Sequence, residues 1–267
     1  QNFGNTIVNM EGGTVSTAVY GGSNANGVLK KDATVTITGG TVGTAPEGSN
    51  PITNVVFGGG YGEPTLVEGN VTVNIGTKSD AEPPVYTGTA TINGHVYGGG
   101  ALGNTNMELV TDDSTNPATT TLQPVAGKNT SVNLYAGTIN GDVYGGGLGD
   151  AETAAYVGGN VTVKLDGAAF HLATTTVKDD EDNDVTAYTS GRIFGCNNLN
   201  GTPKGHVLVH VKRTVAEEGH SDDDYYLGAV YGGGNEADYN PTNTKQSTEG
   251  VIEGCNVTSI KDVYGGG

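Results

Sequence analysis

The sequence has few of the residues that build a bulky core. Its 267 residues include no tryptophan, four phenylalanines, two methionines and two cysteines. Large apolar side chains fill the core of a helical protein, so their scarcity argues against such a core. Two cysteines are too few for a disulfide framework, and we interpret Cys196 and Cys255 as small turn or core residues. Valine, threonine, isoleucine and asparagine, together with 46 glycines, are instead typical of thin β structure with many turns.

Basic side chains are also scarce. The chain has 12 lysines and arginines against 29 acidic residues, a formal net charge of −17, and no basic run. Because phosphate groups are bound through basic side chains, we expect neither nucleic acid nor an anionic membrane surface as a partner. The sequence also lacks a stretch of about 20 consecutive apolar residues, so we expect no membrane insertion in this segment.

One motif recurs seven times along the chain. It consists of a β-branched residue, an aromatic ring and a run of small residues, most often Val-Tyr-Gly-Gly-Gly. The copies follow one another at intervals of 33 to 50 residues, which indicates a repeat architecture. The aromatic positions are Tyr20, Phe57, Tyr97, Tyr144, Phe194, Tyr231 and Tyr264.

Alternating segments precede most of these motifs and predict strands with one buried side. In Asn160 to Leu165, for example, Val161, Val163 and Leu165 alternate with polar residues. Equivalent inward positions form a column that also contains Val35, Val73, Val132 and Val209. The fourth unit, from Thr130 to Gly147, fits three short strands into 18 residues, which suits one coil of a parallel β-helix.

These repeats resemble right-handed parallel β-helix proteins. Their acidic, Gly-, Asn- and Thr-rich composition resembles the surface adhesins and autotransporter passengers of Gram-negative bacteria. The resemblance implies an all-β, right-handed parallel β-helix of about seven coils with loop insertions, located outside the cell or at the bacterial cell surface. The alternative is a kelch-like β-propeller, which shares the Val-Tyr-Gly-Gly motif, but the fourth unit has no room for a four-stranded blade.

The repeats also predict how the chain is organised. We expect residues 1–267 to form a single β-solenoid domain within a longer repeat array, because the last motif is followed by no capping repeat. Further repeats of the same chain are then expected neighbours. Unequal repeat lengths predict projecting loops rich in Pro, Asp, Thr and Ser, at residues 43–53, 76–87, 102–129, 171–190 and 217–227.

The resemblance favours a non-enzymatic, adhesin-like protein that displays these loops for adhesion to a glycan or a host-surface protein. The alternative is a β-helix carbohydrate-active enzyme, either a polysaccharide lyase or a glycoside hydrolase. Adjacent carboxylates occur at Asp112-Asp113, at Asp179-Asp180 and from Asp222 to Asp224, all within insertions. Solvated loop acids do not acquire the separated pKa values of an acid and base pair, so we favour no enzymatic activity while leaving it open.

The aromatic column is the candidate glycan-binding site. Rings at one position of successive coils would lie about 4.8 Å apart, and an exposed column would offer π faces to sugar rings. The alternative is that the seven rings only stack on one another or fill a corner. Both interpretations stay open at the level of sequence.

Two groups of residues are candidates for metal binding, one for calcium and one for zinc. Glu63, Asp150 and Glu236 follow glycine triplets at similar turns, and such oxygen ligands suit Ca²⁺, although they also suit a plain acidic rim. His206 and His210 share one strand, which leaves a structural zinc site as an alternative to surface histidines. We expect no other cofactor.

Three Asn-Val-Thr tripeptides begin at Asn70, Asn160 and Asn256. They match the acceptor pattern for N-glycosylation. The same asparagine at one turn of successive repeats also fits a ladder of side-chain hydrogen bonds, and we favour this interpretation.

Overall fold

The computed structural model describes residues 2–45, 52–220, 225–254 and 256–267. Cys255 and the acidic run from Asp222 to Asp224 therefore lie outside the described residues. All regular structure in the described ranges is β, and those ranges contain no helix long and apolar enough to span a membrane.

The alternating segments form the first row of an 11-stranded sheet, which we call the long sheet. Each strand pairs in parallel with its equivalents in the neighbouring repeats. The strands of this row are Thr6–Met10, Ala33–Ile37, Val71–Ile75, Asn129–Leu134, Asn160–Phe170, Val207–Val215 and Thr248–Ile252. A second row, joined to the first through Asn160–Phe170, contains Thr14–Val15, Thr41–Val42, Thr91–Ile92 and Thr138–Ile139.

The seven aromatic motifs form a second parallel sheet, which we call the aromatic sheet. Its strands are Val19–Tyr20, Thr53–Phe57, Gly94–Tyr97, Val143–Tyr144, Arg192–Phe194, Leu227–Tyr231 and Ile260–Tyr264. A third parallel sheet contains Gly27–Leu29, Thr65–Val67 and Asn104–Thr105. Isolated bridges from Thr105 to Val157 and from Val157 to Pro203 continue it into the next two repeats.

Three of the predicted loops contain antiparallel hairpins. Thr77–Lys78 pairs with Tyr86–Thr87, Met107–Asp112 with Thr119–Pro124, and Thr174–Lys178 with Asp184–Tyr188. The insertions at 43–53 and 217–227 are described only in part. Ordered strands within three insertions mean that these excursions are small structural elements as well as surface loops.

The prediction of an all-β fold with parallel sheets is confirmed. Equivalent strands of successive repeats pair with one another, which is the pairing that a parallel β-helix requires, and we call this arrangement the stack. A propeller blade instead pairs its strands antiparallel within one repeat, so the kelch-like alternative does not fit. The right hand and the number of coils stay predictions.

The core of the stack is the inward column predicted from the alternating segments. Val35 pairs with Val73, Val73 with Val132, Val132 with Val163, and Val163 with Val209. All five side chains are 0% exposed. Because each valine pairs with the next and all are buried, these small residues form a continuous core. Removing their apolar area from water stabilises the fold by about 25 cal/mol per Å².

The glycine triplets allow the repeats to approach one another. A Cβ atom on Gly98 would lie 2.3 Å from the carbonyl oxygen of Gly145, and one on Gly145 would lie 2.3 Å from that of Gly195. Real Cβ atoms do not come this close to backbone. Glycine is therefore required where the aromatic strands of successive repeats end.

Candidate functional site

The aromatic column is a continuous stack of rings. Neighbouring ring centroids lie 4.6 to 4.9 Å apart, with interplanar angles of 5° to 8°. The four middle rings are at most 2% exposed, and these are Phe57, Tyr97, Tyr144 and Phe194. Their faces contact one another, so no face is open to a sugar. The geometry of these four matches the structural alternative rather than an exposed binding column.

The turns that follow two of the glycine triplets cover the rings. Ala101 and Leu148, which come directly after two of the triplets, pack against the column. Tyr97 is also held by hydrogen bonds, since its hydroxyl donates to Asn54 Oδ1 at 2.6 Å and accepts from Asn198 Nδ2 at 2.7 Å. Burial raises the pKa of Tyr97 well above its usual value, so the hydroxyl stays protonated.

The ends of the column are more open than its middle. Tyr20 and Tyr231 are partly buried, and Tyr264 in the last strand is 47% exposed. Tyr61 packs edge-on against Tyr20 at a centroid distance of 5.7 Å.

A buried ion pair flanks the column. Asp142 is 0% exposed at its side chain, and Arg192 of the next repeat lies against it with Nη2 2.7 Å from Oδ2. His95, one repeat earlier, accepts a hydrogen bond at Nδ1 from the backbone N–H of Asp142 at 2.9 Å. Burial lowers the pKa of His95, and this effect together with the Arg192 charge outweighs the Asp142 carboxylate, which raises it. His95 packs edge-on against Tyr97 and Tyr144, and Arg192 lies over the Phe194 ring, so this cluster supports the column.

The structure does not bring the three predicted calcium residues together. Glu63 and Glu236 are exposed, while Asp150 accepts hydrogen bonds at Oδ1 from the backbone of Glu152 and Thr153, at 2.9 and 2.7 Å. Within the described ranges, no three His, Cys, Asp or Glu residues are placed to hold a metal ion. Asp150 stabilises its own turn, so the calcium prediction has no preformed geometry in this part of the chain.

The histidines considered for zinc have acidic partners instead. His206 Nε2 lies 3.2 Å from Glu249 Oε2, and His210 Nε2 lies 3.1 Å from Glu253 Oε1. The two histidines thus pair with different residues, His206 with Glu249 in the strand Thr248–Ile252 and His210 with Glu253 directly after it. Cys196 is buried, and desolvation raises the pKa of its thiol to about 12, which fits an inert core residue.

The asparagine ladder is present at two of the three predicted positions. Asp32 Oδ1 accepts the backbone N–H of Asn70 at 2.8 Å, Asn70 Oδ1 that of Asn129 at 3.0 Å, and Asn129 Oδ1 that of Asn160 at 3.2 Å. Each residue comes just before an alternating strand or is its first residue. Asn256 instead lies in an exposed turn after Thr248–Ile252, so the ladder prediction is wrong there.

A groove beside the third sheet is a candidate site on the described surface. Its volume is about 270 Å³, close to the lower limit of ligand pockets, about 300 Å³. Its polar and aromatic lining residues are Tyr156, Asn200, Thr202, Lys204, Glu236, Asp238 and Asn240. We call this the groove. Neighbouring repeats supply its walls, because Tyr156 comes just before Val157, which bridges Pro203 of the next repeat.

Hydrogen bonds fix the walls of the groove. The backbone N–H of Lys204 donates to Val157 O at 2.7 Å, and that of Asn240 donates to Thr202 Oγ1 at 2.8 Å. Asn200 Nδ2 donates to Asp150 O at 2.7 Å, so this amide shapes the wall. These contacts join three successive repeats and hold the groove in place before a ligand arrives.

The groove combines an aromatic ring, a cation and carboxylates. Lys204 Nζ lies 4.9 Å from the centroid of the Tyr156 ring, and burial lowers the pKa of this lysine. Glu236 and Asp238 are exposed at the rim and also border an adjoining depression of about 260 Å³. Ring, donor and acceptors in one concavity suit a ligand rich in hydroxyl groups.

The sequence indicated only one residue of this groove. Glu236 was predicted as an acid after a glycine triplet, but Tyr156 and Lys204 lie in connecting segments that follow no repeat pattern. The one available signal was that these segments are short, so their residues must stay close to the stack.

Comparisons of this chain with protein-family models, with curated proteins and with solved structures found no match.

Proposed function

We propose that this chain is a non-enzymatic repeat protein, secreted or carried at a bacterial cell surface, that contacts glycans. The stack is its scaffold, and the groove and the three hairpins are its contact surfaces. The partner is a glycan, free or on a host-surface protein. The observation that carries the proposal is the groove, where Tyr156, Lys204 and Glu236 border one concavity.

The chemistry of the groove supports a sugar ligand. A sugar ring has apolar C–H faces and a periphery of hydroxyl groups. The Tyr156 ring suits the apolar face, while Lys204 donates and the Glu236 and Asp238 carboxylates accept hydrogen bonds. The adjoining depression shares Glu236 and Asp238, so a second sugar unit of an oligosaccharide would lie there.

The acids of the loops support a non-enzymatic function. Hydrogen bonds from the Ser114 side chain and backbone lower the pKa of Asp112, and those from Asn183 lower the pKa of Asp179. A glycosidase needs one carboxyl group whose pKa is raised, so that it donates a proton at neutral pH. These two acids have the opposite shift and stabilise their own turns.

The experiment is a glycan array followed by product analysis. We expect the purified chain to be retained on specific glycans, and Tyr156→Ala to weaken retention at least tenfold. Tyr225→Ala, which truncates an exposed tyrosine not among the residues that line the groove, is the matched control. Retention on no glycan, or equal loss in both variants, would contradict the proposal.

Product analysis separates a binding protein from an enzyme. Pectin, alginate and glycosaminoglycans incubated with the chain should yield no new reducing ends and no unsaturated-sugar absorbance. Turnover of any of them would contradict the non-enzymatic function and favour the carbohydrate-active enzyme.

A further inference from the structure

A second surface of this acidic chain concentrates positive charge. Four of its 12 basic residues lie on or beside the long-sheet strands Asn160–Phe170 and Val207–Val215, and we call Lys78, Lys164, Lys212 and Arg213 the basic face. Lys164 lies opposite His210 in the neighbouring strand, and Lys212 follows His210 by two residues. Burial lowers the pKa of Lys164, the Asp166 carboxylate raises it, and the charges of Lys78 and Lys212 lower it further, so these groups lie near one another.

The hairpin Thr77–Lys78/Tyr86–Thr87 builds one side of this face. It crosses two repeats to reach Asp166, whose carboxylate lies 2.6 Å from Lys78 Nζ and accepts the Tyr86 hydroxyl at 2.9 Å. Arg213 stacks on the Tyr86 ring with Cζ 4.0 Å from the centroid and donates to Asp166 O at 3.0 Å. The guanidinium is therefore held in place by its neighbours.

Two cations of the basic face lack an acidic partner. Lys78 pairs with Asp166, and Lys212 Nζ lies 3.3 Å from Glu253 Oε2. Lys164 and Arg213 form no ion pair with any residue in the part of the chain that the structure describes. The Asp166 and Glu253 carboxylates also act on Lys164. Four cations against these two carboxylates leave the basic face with a net charge of +2 in a chain whose net charge is −17, and an external anion would balance this excess.

An aromatic ring lies beside the free lysine. Lys164 Nζ is 6.0 Å from the centroid of the partly buried Tyr135 ring. A tyrosine ring next to cationic side chains suits a sugar that carries an acidic substituent, because the ring packs on the sugar while the cations bind the anion.

We propose that the basic face binds the carboxylate or sulfate groups of an anionic polysaccharide, with Lys164, Lys212 and Arg213 as the anion contacts and Tyr135 as the platform. This inference shares only its ligand class with the proposed function, since the groove is a separate surface. At about 0.1 M salt the Debye length is about 10 Å, so remote acidic residues are screened while neighbouring cations act together.

The test measures binding to three immobilised polymers in about 0.1 M and about 1 M salt. Alginate carries carboxylates, heparin carries sulfates and carboxylates, and dextran is neutral. The test variant is Lys164→Asn/Lys212→Gln, in which the first change introduces the residue found at the paired position, Asn133. The charge-matched control is Lys31→Asn/Lys245→Gln. Thermal melting confirms that each variant is folded.

We expect the parent chain to bind alginate or heparin but not dextran, with binding lost in about 1 M salt. The basic-face variant should weaken binding at least tenfold, and the control at most twofold. Binding to heparin alone would assign sulfate as the ligand group, and binding to alginate would assign carboxylate. Binding to neither polymer, or equal loss in the control, would overturn the proposal. Tyr156→Ala should leave this binding unchanged, which separates the basic face from the groove.

Discussion

Arg192 contacts Asp142 through two hydrogen-bonding nitrogens across the boundary between two repeats. Arg192 Nη2 lies 2.7 Å from Oδ2, and Nε lies 3.2 Å from Oδ1. The Asp142 side chain is 0% exposed and that of Arg192 is 22% exposed. A buried ion pair offsets its own desolvation only when its geometry is this complete, so each partner depends on the other.

This dependence predicts the result of a double-mutant cycle. Asp142→Ala leaves Arg192 without its partner, and Arg192→Ala leaves a buried carboxylate unpaired, so each should reduce the free energy of unfolding by about 3–5 kcal/mol. The double variant should lose clearly less free energy of unfolding than the sum of the two single variants, because it leaves neither charge unpaired. The stack tolerates alanine at this place, since Ala229 occupies the position paired with Arg192 in the next repeat. Urea denaturation of the four proteins provides the measurement. Additive losses would show that the pair is not coupled.

His95 predicts a pH dependence of stability. Burial lowers its pKa in the folded chain, so below about pH 6.5 the unfolded chain binds a proton that the folded chain does not. The stability that neutral His95 provides is therefore present above about pH 6.5 and is lost as the pH falls. His95→Asn introduces the residue of the paired position Asn54 and should flatten this dependence between pH 7.5 and 5. An unchanged slope in urea denaturation would contradict the assignment.

The inward valine column predicts a strong contrast between adjacent residues. Val163→Asp places an unpaired charge among buried side chains of two neighbouring strands, and should reduce the free energy of unfolding by several kcal/mol. Thr162→Asp makes the same replacement on the outward side of the strand and should cost about 1 kcal/mol or less. Thermal melting compares the two. An unchanged melting temperature for Val163→Asp would refute the register.

The hairpins predict unequal effects of deletion. Shortening the second hairpin between Leu109 and Leu122 removes mostly exposed residues, and loop length enters stability only logarithmically, so the β circular dichroism should persist. Deleting residues 77–87 removes the contacts of Lys78 and Tyr86 with buried Asp166 and should destabilise the chain. Loss of the fold in the first variant would mean that this hairpin packs on the stack as a structural element.

The sequence predicted the repeat and the core, but it did not predict that turns cover the aromatic column. In the strand Val143–Tyr144 the structure buries both side chains. Burial of the ring depends on a turn that folds back, with Leu148 against the column. A short Gly-rich turn has too little pattern to reveal which way it folds, so an exposed and a covered column could not be separated.

Contacts that span several repeats were beyond sequence reasoning for a different reason. Lys78 and Asp166 are 88 residues apart, and their ion pair depends on the direction in which a hairpin leaves the stack. Asn256 shows the same limit at short range, because its tripeptide matches that of Asn70 while its turn occupies a different place. Local patterns predict strands, whereas the placement of insertions depends on packing.

The measurement that tests the central claim most directly is equilibrium titration of the chain with the best-retained oligosaccharide, followed by mass analysis of the recovered ligand. The account predicts a saturable isotherm, at least tenfold weaker binding for Tyr156→Ala, which equals about 1.4 kcal/mol, and ligand of unchanged mass. Recovery of a shortened or unsaturated ligand, or affinity that does not change with Tyr156→Ala, would contradict a glycan-binding groove on a non-enzymatic stack.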